Sequence, residues 1–322
     1  MTNKVKLIKI LSVILIVAAS GFLLWLLMKE VRQMSNGSDA IPLGNLRGYR
    51  FGEKSLNDNF SEDGRYEIPA EKIDRLFIEW HSGGVEVYPC NGKEIILIEK
   101  SAGPVKKENR LRYGADDANL AVKYSSDDVT VTEEKKLTVK VPEVMKDKIE
   151  VLAAETTSAP VVVSDLSPRK LGIKTVSAEV SLKKMNIKSA DVKTLSGGIN
   201  CDKCKITDGK LETGAGEVNV HGKIGDLYIK TVAGNVNIIS DKMPDGFRVE
   251  TVSGDTNLYL GEDVKSFAVT YNTGHGGFYS DFNVKREDKS NIYTYRSGHG
   301  SDEHTVSSSS GNFRILKKQA KK

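Results

Sequence analysis

The residues that could do chemistry in this chain are few, and most sit in repeated surroundings. Cys201-Asp-Lys-Cys204 has the C-x-x-C spacing of a redox pair, a motif that works at a helix start, where the setting lowers one thiol's pKa. Here it lies within strand-like alternation, and Cys201 takes a place that neighbouring segments fill with an aliphatic residue. Packing is the better reading, because a buried free cysteine behaves as a small hydrophobe. With Cys90 the only other cysteine, zinc would lack a second ligand pair. Among five histidines, His81 and His221 are isolated, while His275, His299 and His304 occur in GHGG, GHGS and DEHT. If the strands there stack, His275 and His299 come together near Asp302 as a polar cluster able to hold a proton or a metal ion. Solvated turns are the plainer alternative.

Other candidates fail on context. Ser181-Leu-Lys-Lys184 fits S-x-x-K but lacks the companion motifs of the penicillin-binding class. Gly214-Ala-Gly216 is not followed by a helical pattern, so it is no nucleotide loop. Carboxylates at Asp191, Asp202, Asp208, Glu217 and Asp226 form no recurring column, as the acid–base cluster of a polysaccharide lyase would. No catalytic residue, metal site or cofactor follows from these motifs.

One polar set does recur. Asn200, Asn219, Asn237 and Asn257 each stand between two aliphatic residues. Stacked on successive turns of a coil, their amides would form a surface ladder, each bonding the next. The alternative is a polar strip that binds a ligand such as a glycan.

The element that must position these residues is a repeat. The phrase TVSGDTNL at 251–258 has relatives in TVSAEVSL, TLSGGINC, TGAGEVNV and TVAGNVNI. The position after the corner falls at Val161, Val180, Ile199, Val218, Val236 and Thr256, with steps of 19, 19, 19, 18 and 20 residues. Thr156, Thr175, Thr194, Thr213, Thr231 and Thr251 precede the corner, each with an aliphatic residue two places earlier. A unit this short cannot bury its own apolar face and must stack on its neighbours. The pattern predicts an all-β, parallel β-solenoid of ~19-residue coils, six to eight of them, forming a rod roughly 30–40 Å long. Threonine shares strand parity with the inward aliphatic residue, so its hydroxyl should point inward at the corner and bond a neighbouring backbone group or the next threonine. Gly197, Gly216, Gly234 and Gly254 are expected there for their freedom of dihedral angle. Lys174, Lys193, Glu212, Lys230 and Glu250 should face outward and pair between coils.

Composition agrees. The chain has 322 residues with 29 glycines, 8 prolines and a net charge of +4; charge this balanced does not suit a nucleic-acid binder. Residues 10–28, ILSVILIVAASGFLLWLLM, carry no charge over 19 positions, about 28 Å as a helix, close to the bilayer's apolar thickness. A cleaved signal peptide would leave FLLWLLM at the mature end, so the sequence predicts an uncleaved transmembrane helix. Lys4, Lys6 and Lys9 before it favour a cytoplasmic N-terminus. The organisation expected is a tail at 1–9, the transmembrane helix at 10–28 and a juxtamembrane linker at 29–71. A β-repeat domain follows at 72–316, with its clearest repeats at 149–262, then a basic tail at 317–322. SSSSGNFRIL at 307–316 reads as the last coil, whose edge could receive a partner.

The repeated phrase, together with FIEWHSGGVEVYP at 77–89 and LTVKVPEVMKDKIEVLAAETTSAPVVV at 137–163, resembles the bacterial "putative adhesin" β-repeat domain family over about residues 72–316. The resemblance implies the same fold and no family catalytic residues. It also implies kinship with membrane-anchored proteins of the Gram-positive cell-envelope stress response. The expectation is a non-catalytic protein of the cell membrane, single-pass, with its C-terminal domain outside the cytoplasm. Its partners would be the lipid bilayer and a cell-wall polymer or envelope protein, with no nucleic acid. A carbohydrate-active β-helix enzyme and a cytoplasm-facing signalling scaffold are the alternatives.

Overall fold

Alternation at period two makes strands, and glycine-rich corners turn them. The computed structural model describes residues 61, 63–116, 118–125, 134–289, 292–299 and 304–318. The segment 10–28, most of the expected linker and the tail beyond Lys318 lie outside these residues. Among those described, helical structure is confined to single 3-10 turns at Lys107–Asn109 and Glu143–Met145, and no helix is long and apolar enough to cross a membrane.

The N-terminal part supplies β1 (Arg65–Pro69), β2 (Arg75–Trp80), β3 (Gly83–Cys90), β4 (Glu94–Ser101), β5 (Arg112–Ala115), β6 (Asn119–Lys123) and β7 (Lys135–Pro142). The periodic region gives β8 (Val151–Thr156), β9 (Val161–Ser164), β10 (Lys170–Thr175), β11 (Val180–Lys183) and β12 (Asn186–Thr194). It continues with β13 (Ile199–Thr213), β14 (Val218–Lys230), β15 (Val236–Ser240), β16 (Gly246–Thr251) and β17 (Thr256–Leu260). The C-terminal part holds β18 (Phe267–Thr273), β19 (Phe278–Ser280), β20 (Lys285–Lys289), β21 (Ile292–Ser297), β22 (His304–Ser308) and β23 (Phe313–Lys317).

These strands stack as a parallel solenoid with two long faces. The first face runs β6, β2, β8, β10, β12, β13, β14, β16, β22, β18, each parallel to the next. The second runs β7, β3, β9, β11, β13, β14, β15, β17, β23, β19. Strands β13 and β14 bend through a corner and serve both faces. Ten coils at about 4.8 Å per step give a rod ~43 Å long. That exceeds the six to eight coils expected, because the aperiodic ends add coils of their own.

Those coils do not stack in sequence order. Strands β2 and β3 lie between the β6/β7 coil and the β8/β9 coil. At the other end β22 lies between β16 and β18, and β23 between β17 and β19. The C-terminal segment expected to be the last coil is therefore the last but one. The reason is that β21 covers the far edge of β18 in antiparallel pairing. The segment at 304–317 thus finds its parallel partners one step further in. Antiparallel strands close the rod elsewhere too, with β20 on β21, β5 on β6, β4 on β7 and β1 on β4. The edge of the 307–316 segment, expected to receive a partner, is instead covered by β18 and β19. Strand β1 falls inside the expected linker, yet it buries Tyr66 and Ile68.

The core is a set of ladders between the two faces. Ile173, Val192, Leu211, Ile229 and Val249 are each wholly buried and in register. Each such side chain contributes roughly 1.5–3 kcal/mol by leaving water. On the outer side Lys174 reaches Glu155 at 3.2 Å and Lys193 reaches Glu212 at 3.3 Å, as the outward column of mixed sign requires.

The corner threonines bind the coils to one another. The Thr213 hydroxyl donates to the Gly197 carbonyl of the preceding coil at 2.9 Å, and accepts the Gly216 N–H of its own corner at 3.0 Å. Thr194, Thr231 and Thr251 accept in the same way from Gly197, Gly234 and Gly254. Each hydrogen bond is worth about 1 kcal/mol. The corner glycines serve a different purpose from the one expected. Gly197, Gly216, Gly234 and Gly254 are absent from the positive-φ positions. What they provide is close approach, since a Cβ on Gly216 would fall on the Gly197 carbonyl oxygen. Left-handed backbone occurs instead at the second corner, in Asp165, Lys184 and Lys203.

Gly216→Ala should accordingly destabilise the protein by about 2–3 kcal/mol. Gly103→Ala, where a Cβ meets nothing within 4 Å, should change stability by less than about 0.5 kcal/mol. Thermal and urea denaturation of the two variants checks both values.

Candidate functional site

The outer side of the second face carries the recurrent polar residues. Asn219 donates to Asn200 at 2.8 Å, Asn237 to Asn219 at 2.8 Å and Asn257 to Asn237 at 2.9 Å. Asn200 donates onward to Glu179 at 2.7 Å, and Asn237 also donates to Glu217 at 2.6 Å. At the opposite end Arg314 donates to Asn257 at 3.2 Å. Parallel in-register pairing places each amide above the last, so the ladder follows from the repeat itself. With a carboxylate at one end and a guanidinium at the other, the column spends its hydrogen bonds on itself. It is a structural spine beside which a ligand could lie.

Two residues further along the same strands runs a second outward column, His221, Ile239, Tyr259 and Leu316, in consecutive register on β14, β15, β17 and β23. These four, with Asp281, Lys317 and Lys318, line an open groove of about 560 Å³, within the usual size for a small-ligand site. Its floor is apolar and its ends are polar. Asp202 meets His221 Nδ1 at 2.9 Å at one end. At the other, Asp281 accepts from the Tyr279 hydroxyl at 2.9 Å and from the Lys317 N–H at 3.0 Å. Lys318 reaches Asp241 at 2.7 Å along the side.

Beyond the ladder, Asp255 pins the displaced C-terminal strand. It accepts from the Asn312 N–H at 2.8 Å and from Arg314 at 2.7 Å, while its own N–H donates to Asn235 at 3.0 Å. Partial burial works to raise the Asp255 carboxyl. The Asn312 N–H, the Arg314 guanidinium and the Asn312 amide outweigh it, so the group sits below the ordinary carboxylate value.

The other nominated residues have separate places. His275 and His299 follow opposite ends of β18, because Phe267 pairs with Ser297 while Thr273 pairs with Ser308. That separates them by about 20 Å of strand. His304 is a core residue, 3% exposed, stacked on Phe247 at 4.9 Å. It fills the inward ladder position held by Phe247 in the neighbouring coil. The histidine cluster is therefore not assembled, and Asp302 lies outside the described residues. No group of three metal-ligating side chains occurs among those described. Cys201 stands in the inward ladder between Leu182 and Val220. A hydrogen bond with Cys204, reinforced by complete burial, holds the Cys201 thiol well above its ordinary range.

One site escapes sequence reasoning. Lys135, wholly buried, donates to Glu99 at 2.7 Å, to the Asn109 carbonyl at 2.6 Å and to the Tyr124 carbonyl. Its ammonium lies 4.1 Å from the Tyr124 ring centre and 5.2 Å from that of Trp80. Trp80 Nε1 donates to the Lys135 carbonyl at 2.7 Å, the task that threonine performs at the regular corners. A buried pair held by this many partners fixes the N-terminal coils against each other, and breaking it would strand a charge. In the sequence Lys135 belongs to the charged run EEKK, and only the preceding Trp80 and Tyr124 hint at an unusual corner.

A stacked-coil β-solenoid with an amide spine and a flanking groove is the class of protein that this geometry defines. Residues 73–316 match the family Toastrack DUF4097, and the chain belongs to that family. No curated protein matches. The chain is similar to a crystal structure described as a "putative cell adhesion protein" from Clostridium sporogenes. The two are 15% identical, with 79% of this chain and 98% of that one covered and a TM-score of 0.24.

The Asp255 contacts make stability depend on acid. A carboxyl lowered on folding contributes stability that is complete above its unfolded value and is lost as pH falls toward its folded one. Asp255→Asn should cost up to about 1 kcal/mol at pH 6, solvent screening limiting the value, and progressively less below about pH 4. Urea denaturation of both proteins between pH 6 and pH 3 measures the convergence.

Proposed function

We propose that this chain is a non-catalytic, membrane-anchored protein of the cell envelope that uses its solenoid for binding or scaffolding. The observation that carries the reading is the open groove along the second face, bordered by a ladder whose hydrogen bonds are already engaged. Such a face offers a rigid, preformed surface with few rotamers to freeze on binding, which lowers the cost of association. The uncharged run at 10–28 and the lysines before it support a bilayer anchor with the rod outside the cytoplasm. A wall polymer or another envelope protein is the partner this arrangement suits. The near balance of charge argues against nucleic acid. The family resemblance suggests a place in the envelope stress response.

Protease treatment of intact cells, read from a C-terminal tag, tests the placement. The tag should disappear while a cytoplasmic control protein survives. A tag that is protected in intact cells but cut in lysed ones would put the rod inside and favour the cytoplasm-facing scaffold.

A further inference from the structure

We propose that the groove over Ile239, Tyr259 and Leu316 is a binding site for a neutral saccharide chain lying along the rod axis. The proposal deepens the binding reading above by naming the ligand class, and it rests on that reading. His221, Ile239, Tyr259 and Leu316 follow one another on four neighbouring strands, and Asp281, directly after β19, comes next. At about 4.8 Å per step the row extends ~19 Å, long enough for more than one sugar ring.

The chemistry of the lining selects the ligand. Ile239, Tyr259 and Leu316 form a half-buried apolar strip one side chain wide. A pyranose ring presents C–H faces, and an aromatic side chain with a polar tip suits such a face while keeping its hydroxyl in water. Around the strip stand Asp281, His221, Lys317 and Lys318, with Asp202 paired to His221 and Asp241 to Lys318. Carboxylates accept hydrogen bonds from sugar hydroxyls, and ammonium groups donate to them.

The same lining disfavours other occupants. Asp281 stands beside Lys317 and Lys318, and Lys318 is already paired with Asp241, so neither a polyanion nor a polycation meets a field of one sign. An extended peptide could not add as a strand, because the floor is a sheet face whose backbone groups are paired in the parallel ladders. An amphipathic helix needs an apolar surface wider than one row of side chains.

The test is saturation-transfer NMR on the full chain, held in a detergent without a sugar headgroup. The probes are cellohexaose, maltohexaose and tetra-N-acetylchitotetraose. At least one should receive saturation at its ring C–H protons, and Tyr259→Ala should weaken it tenfold or more. Tyr228→Ala, on the outer side of the first face, should bind as the wild type does. Thermal melting of both variants separates lost binding from lost folding. Two outcomes would overturn the proposal: no transfer to any of the three sugars, or equal affinity in folded Tyr259→Ala. The titration is made on purified protein, so it can fail while the protease experiment succeeds, and the reverse.

Discussion

Everything in this molecule depends on how closely one coil can approach the next at the threonine–glycine corner. Parallel strands fix the spacing along the faces, but the chain must also turn there without separating the coils. A side chain at Gly216 would occupy the space of the Gly197 carbonyl oxygen. The Thr213 hydroxyl bonds that carbonyl and its own corner's N–H together. Once the corner closes, the aliphatic ladders come into register inside and the amide ladder outside. The spine of Asn200, Asn219, Asn237 and Asn257 is thus a consequence of the corner as well as a reinforcement of it.

The ends show what the corner demands when the repeat stops. At the N-terminal end the donor to the preceding corner carbonyl is Trp80, which brings Lys135 with its partner Glu99 into the cap. At the C-terminal end the Tyr271 hydroxyl donates to the Gly311 carbonyl at 2.5 Å. In both places the larger aromatic side chain fills the ladder and keeps the hydrogen bond. The displaced β22/β23 segment is held by corner bonds and by Asp255, whose partners Asn312 and Arg314 lie almost sixty residues on. The groove lies across this junction, because Leu316 comes from the inserted strand while Ile239 and Tyr259 come from the periodic coils. A correctly inserted C-terminus is therefore a condition for the groove.

The parts of the fold readable from sequence were those that repeat. Thr213, Gly216 and Asn219 recur with their neighbours at steps of 18 to 20 residues, so their columns and facing followed from parity alone. The coils at 75–90 and 304–317 were not readable as they stand, because each inserts out of order and pairing across such distances leaves no period. His304 looked like a loop histidine because its flanks are polar. Only its register with Phe247 reveals that it faces inward. Lys135 was hidden for a related reason, since Glu99 and Asn109 are brought to it by antiparallel strands and a turn. The groove could be assembled only once Leu316 was known to follow Tyr259.

Hydrogen exchange at the corner amides tests the central claim most directly. If the corners hold the stack together, the N–H groups of Gly197, Gly216, Gly234, Gly254 and Gly311 exchange as slowly as those of the inward ladder residues, although they lie in turns. Exchange of these amides as fast as that of Gly103 would contradict the account and leave the coils joined by their faces alone.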